Sequence, residues 1–152
     1  ELVKWLFTYV ICWKDKNFNY VYDAIVYCVF ISLGFASIEN LIAILSNSGG
    51  FALALQRGLI TVPAHAFFGI ISGYYLGLAK KYEARRWNKR KRKYIILSLL
   101  IPIIVHGMFD SLLFLSSTAS LLFATALIVY LYLSSALKVV KTSSEAKKIT
   151  RR

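Results

Sequence analysis

Four stretches of the chain, residues 22–46, 57–79, 94–115 and 121–137, are almost wholly apolar and are separated by short polar segments. A helix of about 20 apolar residues crosses a hydrocarbon core of about 30 Å. No soluble domain can hide so many long apolar runs, which predicts an all-α fold: a multi-pass transmembrane helix bundle. Residues 2–13 are apolar too but shorter than a crossing. They are expected to be half of a span whose other half lies upstream, which makes about four full spans plus a truncated N-terminal half-span. The transmembrane domain is expected over 1–140 and a basic tail over 141–152.

The charges fit that frame. Of the 152 residues 58% are hydrophobic, and 19 basic residues face only 7 acidic ones, a net charge of +12. Nine of the basic residues fall in 80–93 and six in 138–152. Clusters flanking spans set orientation and attract anionic lipid, so nucleic acid is not the expected partner. The loop 80–93 and the tail are therefore expected on the cytoplasmic side, two crossings apart. The segment 47–56 holds no Lys or Arg and falls outside; the loop with Lys14 and Lys16 is cytoplasmic again. Asn47, Ser48, Gly49 and Gly50 read as a turn, residues 116–120 as another, and Pro63 and Pro102 as kink positions. Cys12 and Cys28, the only cysteines, lie near expected cytoplasmic helix ends, where no disulfide is expected.

Within 57–77, Arg57, Thr61, His65, Gly69, Gly73 and Gly77 recur every four residues and share one helical stripe. Leu59, Ile60, Phe67, Ile70 and Tyr74 occupy the other surface. Small residues at this spacing let a second helix approach closely, so the stripe reads first as a helix contact face that carries an imidazole.

The remaining intramembrane polar residues give that imidazole company. At 1.5 Å per residue, Glu39 lies about 10 Å, His65 about 12 Å, His106 about 13 Å and Asp110 about 7 Å below the outer ends of their helices. Glu1 comes out about 12 Å below the outer face. Any one of these is explained by a structural hydrogen bond. Five at one level, from four helices, mark a site, because each costs several kcal/mol to bury in lipid unless it has work or a partner there. Carboxylates beside imidazoles either activate water as general bases or hold a metal that does so.

The same residues bring a family into view. Glu1-Leu2-Val3-Lys4 resembles the end of the EExxK motif of the PrsW family of intramembrane proteases. GFASIEN, residues 34–40, resembles that family's FxxxEN motif through Phe35, Glu39 and Asn40. Arg57 with His65, and His106 with Asp110, resemble its remaining blocks, and the group is similar to CAAX-type and bacteriocin-processing membrane proteases. The resemblance implies a protease-like domain in the plasma membrane of a prokaryote. It implies cleavage of a membrane-anchored protein, of the anti-sigma-factor type, near the outer leaflet, as one step of regulated signalling. It also implies roles. Glu1 would be the general base on water, with the first Glu of the pair, upstream of this sequence, as an equal candidate; were that one the base, the fragment would be inactive. His65 and His106 would orient water and stabilise the oxyanion, Glu39 and Asn40 would hold the histidines, and Lys4 and Arg57 would neutralise carboxylates. CAAX-type relatives often carry Asn where this chain has Asp110, which would orient His106 instead or stay protonated. A glutamic-type mechanism with no cofactor is the favoured expectation. The alternative is zinc on Glu39, His65 and His106, two imidazoles and a carboxylate. Two readings from other classes stand beside the protease: a proton-coupled transporter, and a non-catalytic protease-like scaffold. Against the transporter, the spans show no inverted repeat and the polar groups form a layer rather than a path.

Overall fold

The computed structural model describes residues 1–47, 50–144 and 149. A short helix α1 (Leu2–Phe7) runs directly into a π-helical turn, Thr8–Cys12. Four long helices follow: α2 (Val21–Ser46), α3 (Gly50–Ala84), α4 (Asn88–Leu115) and α5 (Thr118–Ser144), all long and apolar enough to cross a membrane. The described residues form no strand. The protein is thus the all-α multi-pass bundle that its apolar runs require.

The helices outrun the apolar stretches. α3 begins at Gly50 rather than Arg57 and ends at Ala84, and α4 starts at Asn88. Most of the expected loop 80–93 is therefore helix, leaving only residues 85–87 as the turn, with Arg86 in the left-handed region at φ 58°. Lys, Arg, Glu and Ala are good helix formers, and nothing in water obliges a helix to stop at the lipid boundary. α5 likewise continues to Ser144, so the first residues of the expected tail are helical. Ser48 and Gly49 of the expected 47–50 turn, and all of 145–152 except Ile149, lie outside the described residues.

Local chemistry closes the ends. Asp23, in the first turn of α2, accepts from the backbone N–H groups of Asn19 (2.7 Å) and Tyr20 (2.8 Å), donors left without intrahelical partners. Ser117 and Ser120 cap α5 reciprocally: each hydroxyl accepts from the other's backbone N–H, at 3.1 and 3.0 Å. Cys12 and Cys28 are free and buried. Pro63 and Pro102 both sit inside helices.

The helix pair α2/α3 is the spine. A Cβ added at Gly73 would lie 2.5 Å from Ile25 Cα, and one at Gly77 2.5 Å from the Val21 carbonyl oxygen. Only a hydrogen fits there. The antiparallel register set by these contacts continues upward: Gly69 lies on Val29, the Ser32 hydroxyl donates to the His65 carbonyl (2.7 Å), and Arg57 meets Asn40. The stripe read from the sequence is therefore both a contact face and the mount of the site. α4 packs on the other side of α3, where Phe68, Ile71 and Ala64 form a core with Phe109 and Leu131. α1 and the π-turn lean on two helices through Trp5, Phe7 and Thr8. The Trp5 indole N–H donates to Ser98 of α4 (2.8 Å), the Phe7 ring meets Phe35 of α2 edge-on, and Thr8 receives Cys28 of α2 (3.8 Å). Leu2, Val3, Leu6, Val10 and Ile11 face outward, as lipid-facing residues do.

Candidate active site

α1, α2, α3 and α4 each send polar side chains to one level, and these join into a single row. Arg57 donates to Glu39 Oε1 (3.1 Å) and to Asn40 Oδ1 (2.8 Å). Glu39 Oε2 faces His65 Nε2 at 3.4 Å. His65 Nδ1 lies 3.0 Å from Lys4 Nζ, and Lys4 also donates to Glu1 Oε1. The same Glu1 oxygen meets His106 Nδ1 at 2.8 Å, and His106 Nε2 reaches Asp110 Oδ2 at 3.3 Å.

Burial grades along the row. The side chains of Glu39 and Asp110 at its two ends are 53% and 65% exposed, whereas Glu1 is 9%, Lys4 10% and His65 2% exposed. The two residues that the depth count put shallowest are the two that open outward. At the buried centre Glu1, Lys4 and His65 are paired with one another or with His106, as burial of charge in a low dielectric demands.

Proton positions follow from donor chemistry. An ammonium only donates, so His65 Nδ1 accepts from Lys4 and its ring proton sits on Nε2, toward Glu39. Glu1 accepts at Oε1 from both Lys4 and His106, which places a proton on His106 Nδ1. Glu1 Oε2 makes no hydrogen bond among the described residues. The imidazole planes stand nearly perpendicular, with centroids 5.0 Å apart, and Phe68 stacks on His106 at 4.6 Å. Beneath Glu1 and Lys4 lies a cavity of about 10 Å³ lined also by Thr8, Ser32 and Ser72, enough for roughly one water molecule.

Every residue expected from the sequence except Phe35 lies in this row. Phe35 is one step removed: it packs on Phe7 and seats α1. Two supports were not expected: Ser32, which holds the His65 backbone carbonyl, and Phe68, which stacks on the His106 ring. A serine and a phenylalanine inside apolar helices carry no signal of their own.

The donor set also differs from the one expected for a metal. Ligand atoms of Glu1, His65 and His106 lie within 4.8 Å of one another, with Glu1 in the place expected for Glu39. Two imidazoles and a carboxylate are a zinc-type set. As arranged, however, two of the three donors are already engaged. The Lys4 ammonium already engages Glu1 and His65 Nδ1, and His65 Nε2 carries a proton.

Four helices long and apolar enough to cross a membrane, with a buried carboxylate–imidazole cluster among them, define a polytopic membrane protein. Sequence comparison narrows this. The sequence model of the PrsW family of intramembrane metalloproteases matches residues 1–137, and the chain belongs to that family. It is 42% identical over 117 residues to "Protease PrsW" of Halalkalibacterium halodurans, covering 77% of this chain and 51% of that protein. To "Protease PrsW" of Clostridioides difficile it is 35% identical over 138 residues, 90% of this chain and 57% of the relative. The protein of that name from Geobacillus kaustophilus is 40% identical over 113 residues, 74% of this chain and 47% of its own length. The chain thus spans about half the length of the relatives it matches. No solved structure matches it significantly.

Proposed function

We propose that the chain carries the hydrolytic centre of an intramembrane endopeptidase that cuts a membrane-anchored protein, of the anti-sigma-factor type, near the outer leaflet. One observation carries this: Glu1, His65 and His106 from three different helices meet in a buried layer, with room for about one water beneath the Glu1 carboxylate.

Glu1 is the general base. Both of its contacts use Oε1, so Oε2 takes the proton from water as the water oxygen attacks the peptide carbonyl carbon. The C–N bond then breaks, and the proton held on Glu1 passes to the leaving amine. The N–H groups of His65 and His106, which rest on Glu39 and Glu1, turn to the developing oxyanion once Glu1 has taken the proton, a stabilisation worth most in a water-poor site. Arg57 and Glu39 fix the His65 tautomer, and Asp110 steadies His106. This scheme routes no step through a metal.

The orientation deduced from the basic clusters belongs to the same proposal. The loop 80–93 and the C-terminus face the cytoplasm beside anionic lipid, so the open ends of the row, Glu39 and Asp110, face the outer side. A membrane-anchored substrate then meets the site where its chain leaves the outer leaflet.

The test is a mutant cycle on the intact protein with a membrane-anchored reporter. Glu1→Gln and His65→Ala are each expected to remove most of the cleavage, and the double variant to be little worse than either, because groups acting as a unit lose activity non-additively. Normal cleavage by both folded single variants would sink the proposal and return the row to a structural or proton-carrying role.

A further inference from the structure

Lys4 stands among the three donors that a metal would need. Its ammonium donates to Glu1 Oε1 and to His65 Nδ1, so it engages two of the three at once. The contact with His65 Nδ1 takes that nitrogen's single lone pair, and the contact with Glu1 takes one of its carboxylate's, because an ammonium has only protons to offer. Zinc sits about 2.0–2.2 Å from carboxylate oxygen and imidazole nitrogen. An ion held by Glu1 and His65 Nδ1 would therefore lie within the space that Lys4 Nζ fills. Two cations cannot share it.

The ammonium is not free to step aside. Lys4 is buried, and its backbone carbonyl accepts from Thr8 Oγ1 (3.0 Å). The neighbouring Trp5 ties α1 to Ser98 of α4. Leaving the site would carry an unpaired charge into apolar surroundings, at a cost of several kcal/mol.

We propose that Lys4 is a resident cation in the position a divalent metal would take, and that it keeps the Glu1–His65–His106 set free of metal. The inference deepens the proposed function, since it rests on that set being the working site. It assigns Lys4 a role beyond balancing charge: the residue selects which cation the site holds.

The experiment is a cobalt titration of the intact protein in detergent, without substrate, followed by optical absorption. Wild type is expected to bind Co²⁺ weakly and without the intense bands of a tetrahedral site. Lys4→Met removes the ammonium while keeping the chain length. It is expected to bind one Co²⁺ at least about tenfold tighter, the scale on which groups flanking a metal act. Adding His106→Ala to Lys4→Met should abolish that gain, and Lys4→Arg, still a cation, should behave as wild type. Because a neutral residue leaves Glu1 unpaired, Lys4→Gln is measured in parallel, and Zn²⁺ should raise the melting temperature of either neutral variant or restore its folding. Wild type binding Co²⁺ as tightly as Lys4→Met would overturn the inference. So would neutral variants that gain neither affinity nor stability from metal. No step of this test involves peptide cleavage, so it stands or falls apart from the proposed activity.

Discussion

Replacing Gly73 by alanine adds one methyl group at the tightest point of the α2/α3 seam. That Cβ would lie 2.5 Å from Ile25 Cα and 2.6 Å from the Ala24 carbonyl oxygen, both backbone atoms that no rotamer change can move. Carbon atoms in contact sit about 3.5–4.0 Å apart, so the two helices must part by about 1 Å or slide. Overpacking of this kind costs about 1–3 kcal/mol. The displacement also reaches His65, two turns along the same stripe, and misplacing a reacting group by about 1 Å can cost about 100-fold in rate. Gly34→Ala is the matched control: it lies inside α2, and a Cβ there meets nothing within 4 Å. It should be neutral or stabilise by up to about 1 kcal/mol through helix propensity. Thermal melting in detergent reads the stabilities and cleavage of a membrane-anchored reporter reads the rates. Equal melting temperatures and equal rates for the two variants would refute the seam as the mount of the site.

Three other outcomes are expected. A cysteine placed at Asn47 should react with an impermeant label on intact cells and one at Asn88 should not; the reverse pattern would invert the orientation. Trp5→Phe removes the indole N–H bond to Ser98 and should cost only about 0.6 kcal/mol, as membrane hydrogen bonds do, yet lower cleavage several-fold, because α1 carries Glu1; unchanged cleavage would show that α1 is held without it. Exhaustive chelation should leave peptidase activity of the intact protein in place, with well under one zinc per chain by elemental analysis, whereas stoichiometric zinc lost in His65→Ala would recast Glu1, His65 and His106 as ligands.

The bundle and the membership of its polar layer were legible because lipid makes both conspicuous. An ionisable residue in a long apolar run has few innocent explanations, and depth along a helix follows from counting. Counting gives height but not direction around the axis. That is why Glu39 was grouped with the two histidines for a metal when Glu1 is the carboxylate whose oxygen lies within 4.8 Å of donor atoms of both. It is also why Lys4 read as charge balance when its ammonium reaches His65 on another helix. Helix ends beyond the bilayer escaped for a different reason: hydropathy reports lipid, and the basic ends of α3 and α4 are helical in water.

The length of α3 has a consequence for how the protein sits in its membrane. Of its 35 residues, the apolar stretch 57–79 spans about 35 Å against a hydrocarbon core of about 30 Å. Such a rod meets a change in bilayer thickness by tilting. The glycine seam makes α2 tilt with it, so Glu39, Arg57 and His65 travel as one block. α1 has no such seam, only the ties of Lys4, Trp5, Phe7 and Thr8. Hydrophobic mismatch is therefore expected to be taken up between α1 and the α2/α3 block, at the gap between Glu1 and His65 that Lys4 bridges. Acyl-chain length is then expected to act on this centre mechanically, which cleavage of a reporter in bilayers of stepped thickness would read.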